Sequence, residues 1–226
     1  CYHKEKNTFK TYTNNPKDFN TITDNLIRSI TIDSQENIWI GSQTGLSKID
    51  TSGNVERFFY NSQIQSGEDI IAIFEDTQKT IWVGTKAKGL FKFNKTNFNK
   101  VPLKTKRETI TSIHSILQAN HDLWISTNQG IVKYNLLEKN SVIYNVKDGL
   151  VSNEFNDNAS LKIKPSLFYF GGPNGVTSFT TSSFTTNKYS PQVIITGLKI
   201  NNKKVDINDS FNTLHNSILY TSSLEL

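Results

Sequence analysis

Hydrophobic and polar residues alternate in short stretches along most of the chain, and turn-forming residues separate these stretches. In residues 27–33, for example, Ile30 and Ile32 flank a single polar residue. A period of two is typical of a β-strand that buries one face. Because no stretch shows the stripe of an amphipathic helix, the pattern predicts an all-β chain.

One short motif recurs four times and indicates the architecture. It reads Ile-Trp-Ile-Gly-Ser-Gln-Thr-Gly-Leu at residues 38–46 and returns at residues 81–90, 123–131 and 168–176. Its aromatic residue recurs at a spacing of 42 to 45 residues, as Trp39, Trp82, Trp124 and Tyr169. An aromatic strand followed by a glycine turn at this period is typical of β-propeller blades. We predict that these four aromatic residues pack between blades rather than bind a sugar.

The repeat predicts about four blades, each a four-stranded antiparallel sheet, as the last blades of a larger ring. The predicted blades are residues 26–60, 70–101, 109–146 and 154–186, with part of a preceding blade in residues 1–13. The fourth strand of the last blade is placed at residues 184–186.

The period ends after Tyr189, and Pro191 indicates a linker because proline cannot donate to a strand ladder. The predicted domains are therefore residues 1–189 and 190–226. In the second, we predict a strand at residues 193–200, a tight turn at Asn201-Asn202, a return strand at residues 203–207 and a third strand at residues 217–226. This pattern predicts the truncated start of an immunoglobulin-like domain.

The first hairpin turn of each blade carries a further signal. Asp33 and Asp76 stand six residues before a tryptophan, where a carboxylate can accept backbone N–H bonds across the turn, whereas the third blade has Gln118. Such turns tend to end in a left-handed residue, for which glycine is best suited. The chain instead places there Glu36, Lys79 and His121.

Composition excludes several classes of protein. Hydrophobic residues make up 35% of the chain and charged residues 20%, and no apolar run approaches the length of a membrane span. A single cysteine excludes an internal disulfide and a thiolate zinc cage, and the four histidines lack ligand spacing, so we predict no metal and no cofactor. The net charge of +5 is dispersed without a recognition helix, which disfavours nucleic acid as a partner. The densest basic cluster is interpreted as a solvated loop, or else as a surface for an acidic ligand: Lys100, Lys104, Lys106 and Arg107.

The chain begins at Cys1 and contains no methionine, so we expect it to be a piece of a longer product. Such a piece would have open blade edges, and we expect it to be poorly soluble by itself.

The repeats resemble the two-component regulator propeller, the periplasmic sensor of hybrid two-component systems in Bacteroidetes. The blade pattern of that family is seen at residues 33–46 and 76–90, and more loosely at residues 118–131, where Ser126 replaces a glycine. Residues 147–156 with 168–176 resemble its final blade, and residues 191–200 resemble the start of its three-tyrosine domain.

The resemblance implies a sensor without catalytic residues of its own, in the periplasmic portion of an inner-membrane protein. It implies an oligosaccharide ligand released from a polysaccharide, and a homodimeric full-length receptor that reaches the membrane only through other parts of the chain. Its signal would pass to a histidine kinase and then to transcription.

Two sets of polar loop residues are the candidate ligand site, because amides and charges at a ring mouth suit hydroxyl and carboxylate groups. The set between second and third strands comprises Gln43, Lys86, Lys88, Asn128, Gln129 and Asn174, and the set between blades includes Asp69 and Asp148. The alternative is that these are solvated turn residues. Two other functions remain open: a protein-interaction scaffold, and an enzyme acting on polysaccharides, for which Asp69 and Asp148 are possible carboxylates by position.

Overall fold

The computed structural model describes residues 2–3, 7–61, 66–93, 96–103, 109–184, 194–207 and 216–220. The chain divides into two compact units, Cys1–Phe184 and Thr185–Leu226. The predicted domain boundary between residues 189 and 190 lies outside the described residues.

The first unit consists of successive antiparallel sheets in chain order, as the repeat predicts. A two-stranded ribbon, β1 (Tyr2–His3) with β2 (Thr8–Phe9), precedes them. Blade 1 contains β3 (Ile27–Ile32), β4 (Ile38–Ser42), β5 (Gly45–Ile49) and β6 (Val55–Phe58). A second ribbon follows, β7 (Tyr60–Asn61) with β8 (Ser66–Gly67).

The next two blades repeat this plan. Blade 2 contains β9 (Ile70–Glu75), β10 (Ile81–Thr85), β11 (Leu90–Phe93) and β12 (Phe98–Val101). Blade 3 contains β13 (Ile113–Ala119), β14 (Asp122–Thr127), β15 (Gly130–Asn135) and β16 (Ser141–Tyr144). In each of blades 1 to 3 the four strands pair in sequence order. The all-β propeller fold predicted from the repeat is confirmed.

Blade 4 has three strands in the described part of the chain: β17 (Ser160–Lys164), β18 (Leu167–Gly172) and β19 (Gly175–Thr180). A 3-10 helix, Val146–Asp148, precedes this blade, and another, Thr181–Ser183, follows β19. Of the predicted fourth strand, Phe184 packs on Trp124, and residues 185–186 lie outside the described residues.

The tryptophans lie between blades and form most of the core with their neighbours. Trp39, Trp82 and Trp124 are 1%, 3% and 0% exposed. Strands β4 and β10 also pass close to the inner strand of the next blade, which explains the glycine two residues after each of their tryptophans, whereas β14 has Ser126 there. A Cβ on Gly84 would lie 2.4 Å from Cγ2 of Ile113, so only glycine fits without a shift.

Tyr169 departs from the expected packing, because it is only half-buried. The fully buried rings of blade 4 are Phe168 and Phe170, which belong to the cluster around Trp124. Because side chains alternate along β18, Tyr169 lies on the opposite face of the sheet, which also carries the exposed Leu161.

The hairpin turns follow the prediction in two blades of three. Glu36 and Lys79 adopt φ values of 65° and 64°. In blade 3 the prediction was wrong, since Asn120 has φ 53° in place of His121. The reason is a shorter turn, because Ala119 pairs directly with Asp122 and only two residues remain between them.

The second unit contains a short hairpin, β20 (Lys199–Ile200) with β21 (Lys203–Lys204). The predicted turn at Asn201 and Asn202 is present, and both have positive φ, as two-residue hairpin turns require. A 3-10 helix, Ile218–Tyr220, occupies part of the predicted third strand, so that strand is wrong there. The immunoglobulin-like assignment stays a prediction. Within the described residues, no helix has the length and apolarity that crossing a membrane requires.

Candidate functional site

The loops that carry the candidate residues meet at one end of the blades. In blade 1 the Gln43 amide donates to the carbonyl of Leu26 (3.1 Å), and in blade 2 the Lys86 amide donates to the carbonyl of Asp69 (3.0 Å). The loop between second and third strands therefore touches the segment that leads into the first, inner strand. We call this end of the blades the mouth; it comprises those loops and the first residues of β3, β9, β13 and β17.

Two β-bulges direct polar side chains into the mouth. The β3–β4 register skips Arg28, and the β13–β14 register skips His114. A bulged residue lacks a direct partner, and bulges often re-aim side chains beside functional sites. In blade 2 the skipped residue is Ile71, which is buried.

Arg28 joins blades 1 and 2 through an ion pair. Its Nε lies 3.1 Å from Oδ1 of Asp69, and its Nη2 lies 3.4 Å from Oδ2. The Arg28 side chain is 40% exposed, so the pair contributes little to stability but orients both groups. Asp69, a predicted site residue, thus has both carboxylate oxygens engaged, and its side chain is 16% exposed.

His114 joins blades 3 and 4 in a comparable way. Its Nδ1 lies 2.6 Å from Oδ1 of Asp157, and its Nε2 lies 3.4 Å from Oγ of Ser112. The neighbouring Asn158 side chain donates to the carbonyl of Arg28 at 3.1 Å, so blade 4 reaches blade 1 across the mouth.

A cavity of about 370 Å³ opens beside this contact. It is lined along β3 by residues 27–31, by Ile73 of β9 and by Asn158. Its volume falls within the usual range for small-ligand sites. Its polar lining comes from Arg28, Ser29, Thr31 and Asn158, and three isoleucines supply the rest.

The predicted residues between second and third strands surround the mouth with differing exposure. Lys88 forms an ion pair with Glu68. Gln129 is half-buried, and its amide donates to Oγ1 of Thr127 (3.0 Å). The remaining members of this set are exposed: Gln43, Lys86, Asn128 and Asn174.

Asp148 has a local role that the prediction did not include. Its Oδ2 accepts the amide of Asn145 (2.9 Å), and the Asn145 side chain accepts the amide of Lys147 (2.9 Å), which together form a capping box for the helix Val146–Asp148. Asn153 supports the same turn by accepting the amide of Val146 (2.9 Å). Asp148 is therefore first of all a turn residue.

The sequence prediction missed Arg28, His114, Asp157 and Asn158. A signal was present, since His114 and Asp157 are 43 residues apart, which is also the spacing from Trp39 to Trp82. Arg28 lies two such periods before His114, whereas blade 2 has the apolar Ile71 at the intervening position. Within the described ranges, no group of three or more His, Cys, Asp or Glu residues is arranged to bind a metal ion.

The blades define a β-propeller with a partly polar cavity along the inner strand of blade 1. Comparison with known proteins shows which β-propellers this chain is similar to. Residues 21–44 and 64–87 match the family described as "Two component regulator propeller". Histidine kinase P4 of Formosa agariphila is 40% identical to this chain over 232 residues, which cover all of the chain and 17% of that kinase.

Solved structures share the fold at lower identity. The extracellular domain of a hybrid two-component system from B. thetaiotaomicron is 23% identical, with a TM-score of 0.65 over 83% of this chain and 27% of that one. PorZ of Porphyromonas gingivalis, a surface component of the type-IX secretion system, is 15% identical, with a TM-score of 0.56 over 79% of this chain and 28% of that one.

Two segments of the chain thus match the two-component regulator propeller family, and the whole chain is similar to part of a histidine kinase. Its blades have the fold of the extracellular domain of a hybrid two-component system. The chain spans 17% of the length of the curated kinase that it matches.

Proposed function

We propose that the mouth binds an oligosaccharide released from a polysaccharide, and that this chain lies in the periplasm as the sensing part of a membrane-bound, dimeric histidine kinase. The alignment with a histidine kinase along the whole chain supports the sensing role. The single observation that carries the choice of ligand is the polar lining of the mouth cavity.

The chemistry of the mouth suits a neutral or mixed-charge sugar. Arg28 and Asp69 neutralise each other, as do Lys88 and Glu68, so the mouth offers donors and acceptors without a strong net field. Sugar hydroxyl groups both donate and accept, and they match such paired groups through several modest hydrogen bonds. A cavity of about 370 Å³ suits a small number of sugar units.

The same contacts suggest how binding changes the receptor. Asn158 of blade 4 bonds to Arg28 of blade 1, so a ligand that inserts here competes with a link between distant blades. A ligand that prefers one arrangement of these blades shifts the population of the receptor toward it. In the proposed dimer, that shift would alter the geometry passed to the kinase.

The test is a calorimetric titration of the chain against a panel of plant, algal and host oligosaccharides, followed by mouth variants with the best ligand. We expect Asp69→Asn and Asn158→Ala to weaken binding about tenfold each, because Asn158 lines the cavity and Asp69 holds Arg28, which also lines it. Gln35→Ala, in the first hairpin turn of blade 1 at the opposite end of the blades, is the matched control and should bind as the unmodified chain does.

Autophosphorylation of the full-length kinase should respond to the same oligosaccharide and lose its response in Asp69→Asn. The proposal fails if no oligosaccharide binds, or if the mouth variants and Gln35→Ala bind equally well. Product analysis of the same mixtures separates binding from hydrolysis.

A further inference from the structure

The three interfaces between consecutive blades are built differently around their tryptophans. Trp39 is surrounded by three rings, with centroids 5.7 Å away at Phe58, 5.6 Å at Phe93 and 6.1 Å at Phe98. Aromatic rings in such clusters supply large buried areas and favourable edge contacts.

The interface between blades 3 and 4 has an equivalent set. Trp124 has ring neighbours at 5.9 Å in Tyr144, at 4.9 Å in Phe179 and at 4.9 Å in Phe184. Tyr144 occupies the place of Phe58, because each pairs with the residue that follows the hairpin glycine.

The interface between blades 2 and 3 lacks two of these rings. Trp82 has one ring neighbour in the described part of the chain, Tyr134 at 6.0 Å. By strand register, Val101 of blade 2 occupies the position that Phe58 has in blade 1. In the same way, Ser141 of blade 3 occupies the position that Phe98 has in blade 2.

Part of this deficit is filled from within the chain. Leu103 and Ile110 are 1% and 2% exposed and pack in one cluster with Val101 and Trp82. Leu103 and Ile110 thus take the place of the ring that is missing at Val101, but not of the ring that is missing at Ser141. A groove of about 230 Å³ opens beside Tyr134, which is the cross-strand partner of Ser141.

The groove has an aromatic wall and a basic rim. Its apolar lining comes from Trp82, Phe93, Tyr134 and Leu136, and two lysines, Lys92 and Lys139, also line it. Asp76 lines it too, but its carboxylate accepts the Trp82 indole N–H and two turn amides. It also includes Gln78 and Thr80 of the first hairpin turn, so it lies at the end of the blades opposite the mouth.

The two lysines are available for a ligand. In blades 1 and 3 the register counterparts of Lys92 are engaged, since Lys48 lies over the Trp39 ring at 5.6 Å and Lys133 over the Trp124 ring at 5.7 Å. Within the described ranges, neither Lys92 nor Lys139 has an ion pair or a ring contact. Two exposed ammonium groups beside an apolar groove complement a carboxylate on a flat ring.

We propose that this groove is a second ligand site, for small aromatic carboxylates. The ring of the ligand lies against Tyr134 and Leu136. It occupies the space that corresponds to the Phe98 ring at the interface between blades 1 and 2. The carboxylate lies between Lys92 and Lys139. Because the site joins blades 2 and 3, its occupation stiffens the interface that has the fewest aromatic contacts.

The test uses benzoate as the probe and the whole chain as the protein. The three tryptophan indole N–H signals are followed by 1H–15N NMR during the titration, with the Trp82 signal assigned by its loss in Trp82→Phe. We expect a saturable shift of the Trp82 signal with a dissociation constant on the order of 1 mM. Benzamide, which lacks the charge, and cyclohexanecarboxylate, which lacks the flat ring, should each bind at least about fivefold more weakly.

Two variants and one matched control locate the site. Ser141→Phe supplies the missing ring and should abolish the shift. Lys92→Gln should remove the preference for benzoate over benzamide whether or not Ser141→Phe folds. Lys48→Gln changes the register counterpart in blade 1 and should leave benzoate binding unchanged. The proposal is overturned if the Trp82 signal does not saturate, if Trp39 or Trp124 responds equally, or if Lys92→Gln and Lys48→Gln have the same effect.

Discussion

The hydrogen bond between Asp76 and Trp82 allows a quantitative test, because blade 3 supplies a natural control that lacks it. Oδ2 of Asp76 accepts the indole N–H of Trp82 at 2.8 Å, and Oδ1 accepts the amides of Gln78 (2.8 Å) and Thr80 (2.9 Å). Trp82 is 3% exposed, so its N–H is shielded from water while this bond is in place.

In blade 3 the equivalent bond is absent. Gln118 stands in the aspartate position, but its Oε1 accepts the amide of Thr77 (2.8 Å) in the preceding blade. The indole N–H of Trp124 is buried and has no partner among the described residues. The two blades therefore bury similar tryptophans, of which only one is hydrogen-bonded.

We expect a double-mutant cycle of Asp76→Ala with Trp82→Phe to give a coupling free energy of about 1.5–3 kcal/mol, the usual contribution of a hydrogen bond to a charged partner. The cycle of Gln118→Ala with Trp124→Phe should give a coupling below about 0.5 kcal/mol, because no bond joins that pair.

The measurement is urea unfolding followed by far-UV circular dichroism, since tryptophan fluorescence changes with the substitutions themselves. The slope of the unfolding free energy against urea concentration must be the same for all proteins compared within one cycle. Equal coupling in the two blades would refute the argument, since it would mean that ring packing alone, and not the buried bond, determines the difference.

Three further predictions concern stability. Gly84→Ala should lower the unfolding free energy by about 1–3 kcal/mol in urea titration, because its Cβ meets Ile113 at 2.4 Å, and a smaller loss would show that the next blade yields easily. Glu36→Gly should raise the unfolding free energy by up to about 1 kcal/mol because φ there is 65°, whereas Gln35→Gly, next to it and without positive φ, should not. Burial raises the pKa of Asp33, but hydrogen bonds from its turn and from the tryptophan of blade 1 outweigh this and lower the pKa below its usual value. Its stabilisation is thus complete above about pH 4 and lost as pH falls through the lowered pKa, so acid unfolding of Asp33→Asn should depend less on pH than that of the unmodified chain.

The turns show how far local sequence can be interpreted. Asp33 accepts the amides of Gln35 and Asn37 at 2.9 Å each, as predicted from its place before the tryptophan. This prediction succeeds because the donor and acceptor are at most four residues apart. The misplacement of the left-handed residue at His121 arose from hairpin length, which depends on register rather than on residue type.

The candidate site was only partly predictable, for a related reason. Asp69 was identified as a polar loop residue, but its partner Arg28 was not, since Arg28 lies within a predicted strand and enters the mouth only because of a bulge. Asn158 contacts the Arg28 carbonyl across 130 residues of chain, a distance over which no local pattern carries information.

By itself the sequence determined the architecture, since a tryptophan and a glycine repeated at one period require the same sheet to form each time and to pack on the next. The tertiary structure alone decided which side chains meet between sheets: the ion pairs of the mouth, the Trp124 indole that has no partner among the described residues, and the groove beside Trp82 and Tyr134. The physical reason is range. Strand and turn preferences act over a few residues, whereas contacts between blades depend on how about forty residues of intervening chain place two surfaces together.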